Sequence, residues 1–332
     1  MRAVRFFRTA LLFPALFCIV RAACAQETPP TQEQGIHVSV ERVNVGVIVS
    51  DPAGNFVEGL RREDFRVFDN AAEQPISDFA AIEEPAQVLL LIEAGPAVYL
   101  LEGGHLQAAH SLLKGLSMDD QVAIVKYAES RTALLDFTRD KQAAVAAIGQ
   151  LRFNLGFGSL NLSASISKVL DWLGNAKGKK TIVLLSTGVD TSPIDESALV
   201  LQQLKMSDVR LLVVSLMGGL QNPTPTGKKK TPAVISTQST LEFERANQLL
   251  KHMAELTGGR AYFPVTEKEF DAAYAEIAQL VRHEYNLAFA PPVRDGRVHS
   301  IQVRVDTPRT VTPPAASYRI DHRQAYLAPA PR

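Results

Sequence analysis

Apolar residues fall into two kinds of run along this chain. From His37 the pattern His37-Val38-Ser39-Val40, then Val43, Val45, Val47 and Val49, repeats every second residue. It reads as a strand with one buried face, ended by Asp51-Pro52-Ala53-Gly54-Asn55. Phe65-Arg66-Val67-Phe68 is a second strand, turned by Asp69-Asn70, and Ile76 to Ile82 returns as a third. The run Val88-Leu89-Leu90-Leu91-Ile92 differs, because it is apolar throughout before it closes on Glu93 and the tight Ala94-Gly95-Pro96-Ala97. A short continuous run predicts a strand buried on both faces, with Gly-Pro marking a loop at the sheet's rim. Thr181-Ile182-Val183-Leu184-Leu185-Ser186 is its counterpart, followed by the polar loop Thr187 to Ser192.

Helical spacing fills the intervals. Leu100 to Leu116, Lys141 to Leu151, Leu162 to Leu173, Asp195 to Met206, Leu241 to Thr257 and Glu267 to Arg282 predict helices. Val122 to Tyr127, Ala133 to Phe137, Arg210 to Met217 and Tyr262-Phe263 predict strands. Strands alternating with helices give an α/β class, a Rossmann-like doubly wound, mostly parallel sheet, flanked by a small N-terminal β module and C-terminal β strands. The expected organisation is a signal peptide at 1–25, a flexible leader at 26–35, the β module at 36–84 and the α/β domain at 85–283. A β hairpin at 284–310, built from Tyr285 to Ala290 and Val298 to Val305, and a Pro-rich tail at 311–332 follow. The hairpin's place is open between the N-terminal β module and the end of the sheet. In the tail, Tyr318, Ile320, Tyr326 and Leu327 carry the only packing signal. Residues 218–240 interrupt the alternation with Pro223, Pro225, Pro232 and the run Lys228 to Lys230, and read either as a solvated loop or as a binding device.

Composition narrows the function classes. Arg2, Arg5 and Arg8, the apolar stretch from Ala10 to Val20 and Ala23-Cys24-Ala25 describe a secretory signal peptide cleaved after Ala25. The apolar stretch is short for a bilayer span; a lipid anchor on Cys24 is the alternative, which Arg21 suits poorly. Both cysteines, Cys18 and Cys24, lie in the removed segment, so thiol catalysis, thiolate metal sites and disulfides are excluded from the mature chain. The full chain has 35 basic and 35 acidic residues, and loss of Arg2, Arg5, Arg8 and Arg21 tips it faintly acidic. Nucleic-acid binding, which rests on phosphate neutralisation, is a poor fit. An exported location, periplasmic or extracellular, is expected, with no transmembrane helix in the mature chain.

Several segments together resemble the von Willebrand factor A-type domain, and more closely the secreted A-domain-related proteins of acidobacteria. They are Val49-Ser50-Asp51 with Gly54, Gly59 to Phe65, the Val88 to Ala97 strand and loop, Leu184 to Thr191, Thr257-Gly258-Gly259 with Tyr262-Phe263, and Tyr285 leading into the last strands. The resemblance implies a protein-protein or protein-matrix adhesion module whose opening strand ends in an Asp-x-Ser-x-Ser loop that helps hold a divalent cation. Carried over by position, this chain has Glu93, Gly95 and Ala97 in that loop, Ser159 for the family's Thr and Thr187 for its distant Asp. Only Glu93 and Ser159 keep oxygen ligands of the right kind. Mg²⁺ wants about six oxygens with a carboxylate or two, and this set has lost direct ligands and a charge. The expectation is a degenerate site with no cofactor, or with weak binding of Mg²⁺ or another divalent cation.

Glu93 then has two readings: a buried carboxylate held by its own loop, or an acid on an open rim awaiting a partner's basic group. Asp190, Asp195 and Glu196 have a plain alternative as helix-capping or first-turn acids. His105 and His110 are five apart and do not form a helical metal pair, and neither an HExxH pattern nor a G-x-S-x-G elbow occurs. The stretch from Gly174 to Thr181 superficially resembles a phosphate loop but is one residue short and precedes a strand. The candidate binding edge is Glu93, Pro96, Val98, Tyr99, Ser159, Asn161, Thr187 and Asp190, offered to a protein or envelope component and independent of metal. Rival readings are a structural part of an envelope assembly and a hydrolase using Glu93 and Asp190 as paired carboxylates. Amino-terminal sequencing of the exported product is expected to begin at Gln26; a lipid-bearing product starting at Cys24 would establish the anchored alternative.

Overall fold

Val88 to Ile92, the continuously apolar run, forms the centre of a six-stranded sheet, and its alternate residues enter two separate cores. In the computed structural model, which describes residues 42–82, 85–95, 110–152, 158–174, 176, 178–218, 237–306 and 318–331, this strand is β5 (Ala86–Glu93). The described residues belong to one compact unit. The expected signal peptide with Cys18 and Cys24, the leader, His105 and the Lys228 to Lys230 run lie outside the described residues.

Before β5 come β1 (Val43–Ser50), β2 (Phe65–Asp69), β3 (Ala72–Gln74) and β4 (Asp78–Ile82). After it come a helix seen over 110–115 (α1), β6 (Gln121–Tyr127), β7 (Arg131–Thr138), α2 (Lys141–Gly149), α3 (Leu162–Leu173), β8 (Lys179–Ser186), α4 (Ile194–Met206) and β9 (Arg210–Ser215). Then follow α5 (Thr237–Leu256), β10 (Ala261–Tyr262), α6 (Glu267–Arg282), β11 (Glu284–Phe289), β12 (Val298–Val305), β13 (Arg319–His322) and β14 (Ala325–Leu327). The large sheet runs β10-β9-β8-β5-β6-β7, parallel except where β7 turns back against β6. This is the mostly parallel, doubly wound α/β sheet that the run pattern predicts.

Val88, Leu90 and Ile92 pack with Leu112 of α1, Ile148 of α2 and Tyr274, Ile277 and Val281 of α6. Leu89 and Leu91 pack on the opposite face with Ile166 and Val169 of α3, Leu204 of α4 and Leu250 and Met253 of α5. Burial on both faces explains the absence of polar alternation in β5 and β8. The strand order reverses at β5, since β6 leaves to one side and β8 lies on the other, so a crevice opens outside the carboxyl ends of β5 and β8.

The remaining strands form a sandwich of two four-stranded antiparallel sheets, β13-β1-β11-β4 and β14-β12-β2-β3. Val45, Val47 and Val49 of β1 and Leu287 and Phe289 of β11 face Phe65 and Val67 of β2 and Ile301 and Val303 of β12. The expected hairpin at 284–310 is therefore corrected: β11 pairs with β1 and β4, β12 pairs with β2 and β14, and the two strands belong to opposite sheets. Each carries one apolar face that the sandwich buries, which side-by-side pairing would not achieve. The last strands, β13 and β14, extend the same two sheets, with Tyr326 buried and Leu327 exposed. Helix α5 begins at Thr237, inside the span read as loop. Because β4 and β11 are neighbours, with Ile82 opposite Glu284, the whole α/β layer is inserted between two adjacent strands of the sandwich.

Arg260 ties the layers together. It is buried just before β10, donates to Asp321 of β13 (Nε to Oδ2, 2.7 Å), to Glu276 of α6 (2.7 Å) and to Ser50 Oγ of β1 (2.7 Å). Burial works against its charge, but Asp321 and Glu276 outweigh that and hold the guanidinium more firmly protonated than usual. Breaking a buried pair leaves an uncompensated charge, so Arg260→Met is expected to lose about 3–5 kcal/mol in urea unfolding. Lys251→Met, which breaks an exposed pair with Glu255 on α5, should change stability by less than about 1 kcal/mol.

Candidate functional site

Three strands end in polar side chains at the crevice, and all three converge. Parallel register sets Glu93 of β5 opposite Tyr127 of β6, and pairing of Ile92 with Leu185 brings Ser186 of β8 alongside. The Glu93 carboxylate is completely buried. Its Oε2 accepts from the Thr187 amide at 2.7 Å, the Thr187 hydroxyl at 2.9 Å, and the Tyr127 and Ser186 hydroxyls at 3.2 Å each. Its Oε1 accepts from Thr187 Oγ1 at 3.0 Å. Tyr127 and Ser186 lie 2.7 Å apart, and the amides of Gly188 and Val189 donate to Ser186 and Thr187 in turn. Burial pushes the Glu93 carboxyl up, against the opposing pull of the Thr187, Tyr127 and Ser186 donors. Burial and the nearby Glu93 charge push the Tyr127 phenol well up too, so it is a neutral donor at any physiological pH.

Of the two readings of Glu93, the geometry has the burial of the first without its donors: they come from the ends of β6 and β8 and the loop after β8, not from the loop that follows Glu93. Tyr127 and Ser186 were missed from sequence, although the signal was there: each closes an apolar strand with a polar side chain, as Glu93 does.

Asp190 does different work. It accepts from the amides of Leu162 and Ser163 at 3.1 Å each and from Ser192 N at 2.9 Å, and it also bonds the Ser163 hydroxyl. Asn161, the residue before α3, caps nothing with its side chain, and Asp190 supplies that cap from another loop. Asn161 instead donates through Nδ2 to the Glu129 carbonyl at 2.7 Å and through its amide to the Ala128 carbonyl at 2.9 Å. Thr191 meets Leu160 through its amide and its hydroxyl, so the loops after β6, before α3 and after β8 are laced into one rim. Ser159 sits half-buried in that rim, and Asp195 and Glu196 are exposed first-turn acids of α4. Pro96, Ala97, Val98 and Tyr99 lie outside the described residues.

The donors around Glu93 do not fit a divalent cation. Both carboxylate oxygens already accept hydrogen bonds, and at Gly95 an added Cβ would stand 2.8 Å from Leu160 Cδ2, where a hydroxyl ligand would have to begin. Among the described residues, no group of three or more His, Asp or Glu side chains is placed to hold a metal. Glu93 and Asp190, the two acids of the hydrolase reading, accept from separate sets of backbone and hydroxyl donors. The rim presents apolar side chains outward, Val189 at 40% exposure and Ile194 at 89%. Among the described residues, no helix is long and apolar enough to cross a membrane.

Glu93 titrates with a raised folded-state pKa, so its contribution to stability is present in acid and is lost as pH rises from the unfolded carboxylate range through the folded value. Glu93→Gln keeps an acceptor for Thr187 N and places an amide donor toward Thr187 Oγ1. Its melting temperature is expected to gain on that of the wild type as pH rises from about 4 to 7; a gap constant with pH would contradict the buried-acid assignment.

No family model matches this sequence, and no curated protein matches it. Solved structures do. The chain is similar to a von Willebrand factor type A protein from Catenulispora acidiphila at 10% identity, covering 88% of this chain and 75% of that one with a TM-score of 0.46. It is similar to the vWF domain of the type V pili tip protein Mfa5 from Porphyromonas gingivalis at 12% identity, covering 60% and 96% with a TM-score of 0.45. It is also similar to the manganese-loaded Plasmodium vivax TRAP protein at 15% identity, covering 81% and 100% with a TM-score of 0.42. The first two of these structures are named for von Willebrand factor domains.

Proposed function

We propose that this chain is an exported protein-interaction or adhesion module that works through the strand-end rim without a bound cation. The observation that carries the reading is the pairing of a sealed acid with an outward apolar edge. Glu93 is fully buried among its own donors, while Ile194, at the start of α4, is 89% exposed and Val189, five residues earlier, is 40% exposed. Two aliphatic side chains exposed on a rigid, hydrogen-bonded rim offer the apolar contact area that the core of a protein interface uses. Export rests on the basic, apolar and small-residue order of residues 1–25. Adhesion as the class of function comes from the motif resemblance.

Calorimetric titration of the chain from Gln26 onward with Mg²⁺, Mn²⁺ and Ca²⁺ after chelator treatment is expected to give no binding heat. Envelope protein retained on the immobilised chain should be insensitive to chelator and should fall about tenfold for Ile194→Asp, as for loss of an apolar anchor. Saturable Mg²⁺ binding that disappears in Glu93→Ala would overturn metal independence, and retention unchanged by Ile194→Asp would overturn the rim assignment.

A further inference from the structure

A histidine lies buried between two carboxylates in the sheet that β12 and β14 share. His299, near the start of β12, bonds Asp69, the last residue of β2, and Asp295, in the connection from β11 to β12. Its Nδ1 stands 2.8 Å from Asp69 Oδ1, and its Nε2 stands 3.2 Å from Asp295 Oδ1 and 3.3 Å from Oδ2. The other Asp69 oxygen accepts from the Tyr326 hydroxyl of β14 at 2.7 Å. His299, Asp69 and Tyr326 are all buried, whereas the Asp295 side chain is 30% exposed. The turn after Asp69 is tied to the residue after His299. Asn70 Oδ1 accepts from the Ser300 amide at 3.0 Å, and the Asn70 amide donates to the Ser300 carbonyl at 3.0 Å. Asn70 and Ala71 hold φ +46° and +70°, which residues with a Cβ seldom adopt, so this turn is held by its contacts and not by glycine.

An ionised carboxylate only accepts hydrogen bonds, so both ring bonds form together only when His299 carries two protons. A neutral ring has one N–H and serves one acid. The tautomer that keeps Nδ1–H retains the buried Asp69, and its Nε2 lone pair then faces Asp295, which has solvent to turn to. Asp295 also accepts from the Arg297 amide at 2.9 Å, and the same connection meets the segment after β14 through Gly296 N to the Pro329 carbonyl, 3.1 Å, and Ala328 N to the Arg297 carbonyl, 2.8 Å. Burial works against the imidazolium, but the bonds to Asp69 and Asp295 outweigh it and hold the proton beyond the usual histidine range. The Arg297 amide, with help from His299, holds Asp295 below the usual carboxylate range. Burial and Asp69 push the Tyr326 phenol up, so it stays a neutral donor, with Arg323 in the turn before β14 acting the other way. His322 of β13, beside β12, accepts from the Val303 amide at 3.2 Å and is held below the usual histidine range by burial, so it titrates separately.

We propose that His299 is a pH-operated latch: as a doubly bonded imidazolium it clamps the connection between β11 and β12 and the segment after β14 onto the sandwich, and on losing a proton it releases Asp295 and loosens both. The sign follows from the raised folded-state pKa. The latch is fully closed below the unfolded histidine range, about 6.5, and opens as pH rises through the folded value. It lies in the sandwich and does not depend on the rim.

The test is NMR of the full chain with labelled histidine rings, alongside hydrogen exchange at the Gly296 and Ala328 amides, corrected for the intrinsic dependence on pH. His299 is expected to titrate above about 6.5, and over the same interval protection of both amides should fall about tenfold, as for loss of one charge-assisted hydrogen bond. These local amides separate the effect from titration of Glu93 in the other layer. Asp295→Asn offers Nε2 either a donor or an acceptor, so it should lower the His299 titration and leave the two amides protected at every pH. The His299 signal is assigned by its loss in His299→Gln or, if that variant does not fold, by its shift in Asp295→Asn. A neutral His299 ring at about pH 6, protection that stays level through its titration, or an unchanged pH dependence in Asp295→Asn would overturn the latch.

Discussion

An acid buried at the end of the central strand must be met by donors, and that demand organises the loops around it. Glu93 has no solvent to hydrate it, so Thr187 turns both amide and hydroxyl inward, and Tyr127 and Ser186 close the ends of the flanking strands around it. The next amides, Gly188 and Val189, are drawn into the same network. Asp190 then faces the other way, toward the start of α3, and fixes the loop before that helix. Gly188, at φ +76° and with 2.9 Å from its Cβ position to the Ala246 carbonyl, lets the chain make this turn beneath α5. The carboxylate at the end of the central strand is thus enclosed by neutral hydroxyls and amides.

The second constraint is the junction between the layers. The α/β layer leaves the sandwich after β4 and returns at β11, and these strands are paired, so both ends of the insertion are anchored in one ladder. Arg260 and Arg210 cross the same junction. The first reaches Asp321 and Ser50, and the second reaches Glu284 and two carbonyls, those of Gly46 and Gly258. Gly46 has no room for a side chain, because a Cβ would stand 2.9 Å from the Glu284 carboxylate. Buried charge thus joins an apolar seam, in which Ile48 of β1 packs into the core beneath α6, and it demands fixed geometry more than that seam does.

Much of the fold was legible in the chain because hydrophobic periodicity reports burial directly. The both-faces burial of Val88 to Ile92 and of Ile182 to Leu185, the helix over Leu162 to Leu173 and the helix over Glu267 to Arg282 follow from spacing alone. The candidate site was legible in part. Glu93 and Thr187 stood out as strand-end polar residues, while Tyr127 and Ser186 join them only through register, which pairs Glu93 with Tyr127 across two strands 34 residues apart. Asp190 fits the capping reading, but the helix it caps is α3, 28 residues back in the chain, and not the following α4. Leu160, packed where a residue larger than Gly95 would reach, carried no signal at all.

The division between chain and fold has a physical basis. Local pattern determined which segments are strands and helices, which faces they bury, where the strand-end loops lie and that the region after residue 25 holds no thiol, because these depend on neighbours in sequence. Tertiary structure alone decided that β11 and β12 enter opposite sheets, that Glu93 faces the hydroxyls of Tyr127, Ser186 and Thr187 and the Thr187 amide, and that Lys179, Lys180, Arg210 and Arg323 share one cavity. Those outcomes depend on strand order and on which buried charges find partners across long separations. Short-range periodicity does not encode either.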